Sequence, residues 1–197
     1  MSYNRSYHRF FEGYVEKKVT DPATGKTRIE RVYAGDYYRH RMDDRSLKRL
    51  KLTYILIYVW AFVCILLQGT GKSATEWYTI VPILLGMIAM VWLGFYVCAY
   101  AASPRELTIR QYRDREMLKT TAMASALCAG LSVAAQAVWM IAGRRFYLRG
   151  LIGMLLEVTA AIGLYYMFRT ERDMDYVKRE NKKPIDPDSY DIRYREE

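Results

Sequence analysis

The chain is poor in the residues that build metal centres and disulfide scaffolds: its 197 residues include three cysteines and two histidines. Cys64, Cys98 and Cys128 all fall within long apolar stretches and form no C-x-x-C pair, so neither a stapled extracellular fold nor a zinc site is encoded. His8 and His40 stand far apart, without Cys or carboxylates at ligand spacing, and no metal or other cofactor is expected. Catalytic signatures are lacking as well. There is no G-x-S-x-G, no H-E-x-x-H and no pair of carboxylates within an apolar run, so the chain is not expected to be an enzyme. Gly71-Lys72-Ser73 resembles the end of a phosphate-binding loop, but the first glycine of that motif would fall at Leu66, inside an apolar run. Asn4-Arg5-Ser6 matches an N-glycosylation sequon but lies on a side expected to be cytoplasmic, where the modification does not occur.

Charge is the other thing missing, in four places. Leu52 to Gln68, Tyr78 to Ala102 and Thr120 to Gly143 carry no charged side chain, and Leu151 to Phe168 carries only Glu157. Each run is of the length that crosses a hydrocarbon core, roughly 17 to 25 residues. The mean hydropathy of −0.14 resembles that of a soluble domain only because strongly charged segments alternate with these runs. The first run begins about fifty residues in and is too long for a signal h-region, so the N-terminus is expected to be retained.

The reading is an all-α integral membrane protein: a four-transmembrane-helix bundle with a small cytoplasmic N-terminal β-hairpin. Residues 1–51 form a cytoplasmic tail, with the hairpin at about 14–33 and a basic amphipathic helix at about 43–51. Residues 52–168 hold spans at about 52–68, 78–102, 120–143 and 151–168, and 169–197 form a cytoplasmic C-terminal tail. Sidedness follows from Lys and Arg near the span ends, which resist transfer across the membrane. Seventeen lie on the side of the termini and the middle loop, against four (Lys72, Arg144, Arg145 and Arg149) on the other. The net charge of +9 is thus a topology signal, and no nucleic-acid partner is expected.

Within the tail, Asp21-Pro22-Ala23-Thr24-Gly25-Lys26 has turn chemistry, with Pro presetting φ and Gly accepting a left-handed conformation. Pairing Asp21 with Lys26 sets Lys17 opposite Glu30, Glu16 opposite Arg31, Val15 opposite Val32 and Tyr14 opposite Tyr33, a register in which each pair is complementary. A lone hairpin is marginal in water and needs a support. Asp43 or Asp44 caps the helix that follows, whose Arg45, Lys48, Arg49 and Lys51 face lipid headgroups or a docking partner. Ser103-Pro104-Arg105-Glu106 fits a capping box that starts the third helix below the membrane, with Arg110, Arg113 and Arg115 completing a basic collar. After the fourth span, helix-forming charges run to about Lys183, where Pro184 and Pro187 stop a helix.

Ala122, Ala126, Gly130 and Ala134 recur every four positions in the third span, as do Ser125, Ala129, Val133 and Ala137, which predicts close packing with this span at the bundle centre. Gly86, Gly94 and Gly153 are candidate facing surfaces. Glu157 is the one ionisable side chain inside a span, and an ionised carboxylate there costs about 2.5–3.5 kcal/mol or more. Gln136, at a matching depth in the third span, is the expected hydrogen-bond partner, with Arg144, Arg145 and Arg149 as possible charge partners snorkelling inward. The functional expectation is a non-catalytic accessory or scaffold subunit of a membrane assembly, docking through its cytoplasmic tail onto a protein partner or a second copy. The alternative is a small-solute or proton-coupled transporter working through Glu157. Compact loops and the lack of a signal peptide point to a bacterial cytoplasmic membrane rich in anionic headgroups.

Overall fold

A computed structural model describes residues 14–20, 27–69, 71, 76–143 and 147–180. In chain order the elements are β1 (Tyr14–Thr20), β2 (Thr27–Tyr33), β3 (Tyr37–His40), α1 (Asp44–Gly69), α2 (Trp77–Ala102), β4 (Glu106–Leu107), α3 (Ile109–Ala142), α4 (Leu148–Arg172) and β5 (Tyr176–Arg179). They fall into a helical unit, residues 42–103 with 113–175, and a strand unit built from the segments that flank and interrupt the helices.

All four helices are long and apolar enough to cross a bilayer, consistent with a multi-pass membrane protein. At about 1.5 Å per residue the shortest of them, 25 residues, covers the roughly 30 Å of a hydrocarbon core with turns to spare. Only 22% to 33% of the residues in their most apolar stretches are buried inside the protein. The outside of the bundle is therefore apolar, with Leu131, Leu155 and Phe95 each at least 60% exposed. Asp43, rather than Asp44, caps α1: its carboxylate accepts from the Arg45 amide at 3.3 Å and its carbonyl from Leu47 at 2.9 Å.

The hub of the bundle is α1, the first apolar helix, and not α3 as the small-residue stripe predicts. Close backbone approaches join α1 to α2 and α1 to α4, while α3 stands further off. The geometry of the stripe explains the miss. Steps of four residues advance about 40° further round a helix each time, so the row Ala122, Ala126, Gly130, Ala134 drifts off the packed face. Ala122 is buried, Ala126 half-buried, and Gly130 and Ala134 exposed, with nothing within 4 Å of where a Gly130 side chain would start. The face that is buried alternates three and four: Leu118, Ala122, Ser125, Ala129, Ser132, Gln136 and Trp139.

The glycines singled out in the second and fourth runs do mark contacts, chiefly with α1, and Gly86 meets α3 as well. A Cβ on Gly86 would run into Ile65 Cδ1 and lie 3.5 Å from Cys128 Cβ of α3, one on Gly94 would lie 2.5 Å from the Tyr58 hydroxyl, and one on Gly153 3.3 Å from Gln68 Oε1. Substituting Gly86→Leu is expected to cost about 1–3 kcal/mol by overpacking. Gly86→Ala, which needs only the mobile end of Ile65 to shift, should cost less. Thermal unfolding of the two variants in mild detergent checks the order.

The apolar core sits toward the end where α1 begins, around Tyr54, Leu93, Leu118, Ala122, Leu164 and Met167. Lys51 is not a headgroup ligand there. Its ammonium donates to the carbonyl of Ala101 at 3.3 Å and to Ser103 Oγ at 3.4 Å, and so closes the C-terminus of α2, where cations are favoured.

In the strand unit the hairpin has the predicted register, Tyr14 opposite Tyr33 through Thr20 opposite Thr27; its turn, residues 21–26, lies outside the described residues. A second sheet escaped the sequence reading, so the all-α description needs amending. Its order is β4-β3-β5, with β3 antiparallel to both neighbours. Tyr38 pairs with Leu107 and Lys178, and His40 with Tyr176. Along one side, Tyr38 stacks on Tyr112 with centroids 4.4 Å apart, and Tyr176 meets both Tyr112 and His40. The Tyr33 hydroxyl donates to the Asp36 carbonyl at 2.7 Å and accepts from the Ile109 amide at 2.9 Å, and burial raises its pKa. Lys178 meets Asp36 at 2.7 Å, and that hydrogen bond holds its ammonium above the usual lysine range.

This sheet corrects two predicted helix ends. Ser103 closes α2, with its hydroxyl donating to the Tyr100 carbonyl at 2.6 Å, and Glu106 lies in β4 opposite Arg39, paired with Arg179 at 3.1 Å. The capping box belongs to Thr108-Ile109-Arg110-Gln111: the Thr108 amide donates to Gln111 Oε1 at 3.0 Å and the Gln111 amide to Thr108 Oγ1 at 3.4 Å. Likewise α4 ends at Arg172, and Tyr176–Arg179 becomes a strand instead of continuing helix towards Lys183; residues 181–197 lie outside the described residues.

Candidate functional site

Two polar constellations interrupt the apolar interior of the helical unit, one toward each end. Near the start of α3, Arg115 is only 5% exposed and Glu171 of α4 only 1%. Their Nε–Oε2 separation is 2.6 Å, a second guanidinium nitrogen donates to the Glu171 backbone carbonyl, and the Met174 carbonyl lies 3.4 Å away. Arg115 thus leaves the predicted basic collar and becomes half of a buried ion pair. Arg45, Lys48, Arg49 and Arg110 are exposed as the collar requires, and Arg113 is half-buried.

Toward the other end the helices open around a cavity of about 490 Å³. Cys64 and Gln68 of α1, Gln136 of α3, and Arg149 and Gly153 of α4 line it, with Tyr147 just ahead of α4. Gln68 and Gln136 are both buried, and the Gln68 amide donates to the Gln136 carbonyl oxygen across α1 and α3. Gly153 makes room for that bridge, since a Cβ there would stand 3.3 Å from Gln68 Oε1.

Glu157 is 1% exposed, and neither carboxyl oxygen has a hydrogen-bond partner. The predicted Gln136–Glu157 hydrogen bond is not formed, because Gln136 is engaged by Gln68. Ser132 is the polar group nearest Glu157 on α3, close by without reaching hydrogen-bond geometry. Arg149 is exposed in the first turn of α4, eight residues before Glu157 or about 12 Å along the axis, and makes no ion pair with it. Arg144 and Arg145 lie outside the described residues.

These positions form two layers. Gln68, Gln136 and Gly153 make the upper one, beside the cavity. Four residues on along each helix, toward the apolar core, come Cys64, Ser132 and Glu157. About one turn of helix, roughly 6 Å, separates the layers on all three helices. Gln68 was missed because it sits in the last turn of an apolar run, where polarity reads as a helix end. The spacing Ala61, Cys64, Ile65, Gln68 would have placed it inward. Glu171 was missed as one acid in a charged tail.

No family model, no curated protein and no solved structure matches the chain. Among the described residues there is also no cluster of His, Cys, Asp or Glu able to hold a metal ion.

Proposed function

We propose that the chain is a multi-pass protein of a bacterial cytoplasmic membrane, with both termini cytoplasmic, acting as a non-catalytic accessory or scaffold subunit that docks through its cytoplasmic strand unit. The observation that carries this reading is the β4-β3-β5 sheet. β3 leads into α1, β4 joins α2 to α3, and β5 follows α4. Their pairing is possible only when those helix ends lie on one side, which supports an even number of crossings independently of the Lys and Arg bias. It also makes a folded platform from what would otherwise be three separate linkers, and the β1–β2 hairpin is a separate two-stranded sheet beside it in sequence.

A two-stranded hairpin standing alone is marginal, and strand edges take up further strands from partners. The exposed Arg45, Lys48, Arg49 and Arg110 supply attraction to anionic headgroups, at about 1 kcal/mol each near the surface. Deleting residues 14–32 while keeping Tyr33 is expected to convert a large species on native gels of solubilised membranes into the lone chain, with the bundle still folded. An unchanged mobility would end the docking reading. A second reading, a small-solute or proton-coupled transporter, is favoured by the cavity beside Glu157.

A further inference from the structure

We propose that Glu157 is a proton-binding site that exchanges with solution through the cavity, and that the Gln68–Gln136 hydrogen bond is its gate. The inference is separate from docking, and it holds whether or not a solute crosses.

Three observations combine. The carboxyl group is buried with no hydrogen bond to either oxygen, a state that disfavours the ionised form in a water-poor interior. The cavity reaches down to Cys64, in the layer of Glu157, and to Leu156 beside it. One turn further from the apolar core, a single polar bridge made by side chains of α1 and α3 lines the same cavity, with Gly153 of α4 leaving it space, so the way in to Glu157 passes it.

The surroundings favour a proton over a metal cation. Ser132 is the one nearby hydroxyl on α3, and Cys64 on α1, within electrostatic range of Glu157, offers a thiol in place of the several oxygens a hard cation needs. α2 carries no charged side chain along its length, and the nearest cation on α4 is Arg149 at the cavity rim. No fixed countercharge neutralises an ionised Glu157 within its own layer. A proton does so: a hydronium ion reaching the carboxylate through the opened bridge transfers its proton and leaves as water, and the reverse step restores the anion.

The bridge suits a gate because its members are neutral. Breaking it strands two amides beside a cavity large enough to hold water, not two charges in an apolar medium, so opening is cheap enough to recur.

The test uses the full chain reconstituted in lipid vesicles and infrared difference spectroscopy of the carboxyl C=O stretch. The wild type is expected to show a protonated-carboxyl band that shifts in D2O and is lost in Glu157→Gln. After a switch from H2O to D2O, Gln68→Ala and Gln136→Ala should speed the exchange of that band roughly two- to tenfold, the worth of one neutral hydrogen bond. Gly153→Leu, which fills the space beside the bridge, should slow it. Should Glu157→Gln fail to accumulate, Glu157→Asp keeps the carboxyl but moves it, and a displaced band supports the assignment. A band that persists in Glu157→Gln or stays unmoved in Glu157→Asp overturns the proton site. Exchange as slow in both glutamine variants as in the wild type overturns the gate.

Discussion

Replacing Arg115 with Ala is expected to be among the most damaging single changes in the chain, lowering stability by about 3–5 kcal/mol. The reason is desolvation. Glu171 is 1% exposed and takes its ion pair from Arg115 alone among the described residues, so truncation leaves a carboxylate in the interior with neither water nor a cation. Glu171→Ala removes the buried counter-ion but leaves the guanidinium its backbone acceptors and Glu116 at 3.8 Å, so its cost should be smaller. The pair as a whole is another matter. Two ions removed from water recover little more than their desolvation cost, so Arg115→Met combined with Glu171→Met is expected to regain most of the loss of either single change. Unfolding midpoints of the wild type, Arg115→Met, Glu171→Met and the double variant in one detergent make a double-mutant cycle. Near-neutral single substitutions would show that the pair is open to water and is not the link between α3 and α4 inferred from its geometry.

That link also marks the boundary of what could be read from the sequence. The four apolar helices, the hairpin register and a cap at Asp43 or its neighbour Asp44 follow from local rules: absence of charge, turn chemistry, and one side-chain oxygen ahead of a helix. What failed depended on pairing between segments far apart in the chain. Both Ser103-Pro104-Arg105-Glu106 and Thr108-Ile109-Arg110-Gln111 satisfy the capping-box pattern. The second is used because β3, some sixty-five residues upstream, draws Glu106 into an edge strand opposite Arg39, where its carboxylate pairs with Arg179. Residues 176–179 look helical from composition, and pairing with Tyr37–His40 overrides that preference.

The candidate site was half legible for the same reason. A lone carboxylate in an apolar run declares itself, and Glu157 is buried as its cost requires. Its environment does not declare itself. Depth matching put Gln136 level with Glu157, one turn off, where Ser132 stands, and gave it the wrong partner, because it counted along α3 and α4 and ignored α1, whose Gln68 reaches Gln136 first. The stripe of small residues misled in a related way. A four-residue repeat is easy to see, yet a helix buries the three-four alternation that stays on one side, and that alternation brings Ser132 and Gln136 inward together.

The sharpest test of the membrane reading is a substitution whose sign depends on the solvent. Leu131, in the middle of α3, is 60% exposed and touches no core. On a bundle surrounded by water, Leu131→Arg would remove apolar surface from solvent and fall within about 0.5 kcal/mol of neutral. In a bilayer the same change is expected to cost about 2.5–3.5 kcal/mol, which lowers the correctly inserted fraction roughly 70- to 400-fold. Leu155→Arg on α4, 67% exposed, should behave alike, and each can be scored by the protein recovered from washed membranes and by an insertion assay of the isolated segment. A buried neighbour is no substitute as a probe: Ser132→Arg would clash in either solvent and so distinguishes nothing. If Leu131→Arg and Leu155→Arg leave the protein abundant and release it into the soluble fraction, the four apolar helices form a water-exposed bundle, and the sidedness drawn from seventeen basic residues against four has no membrane to refer to.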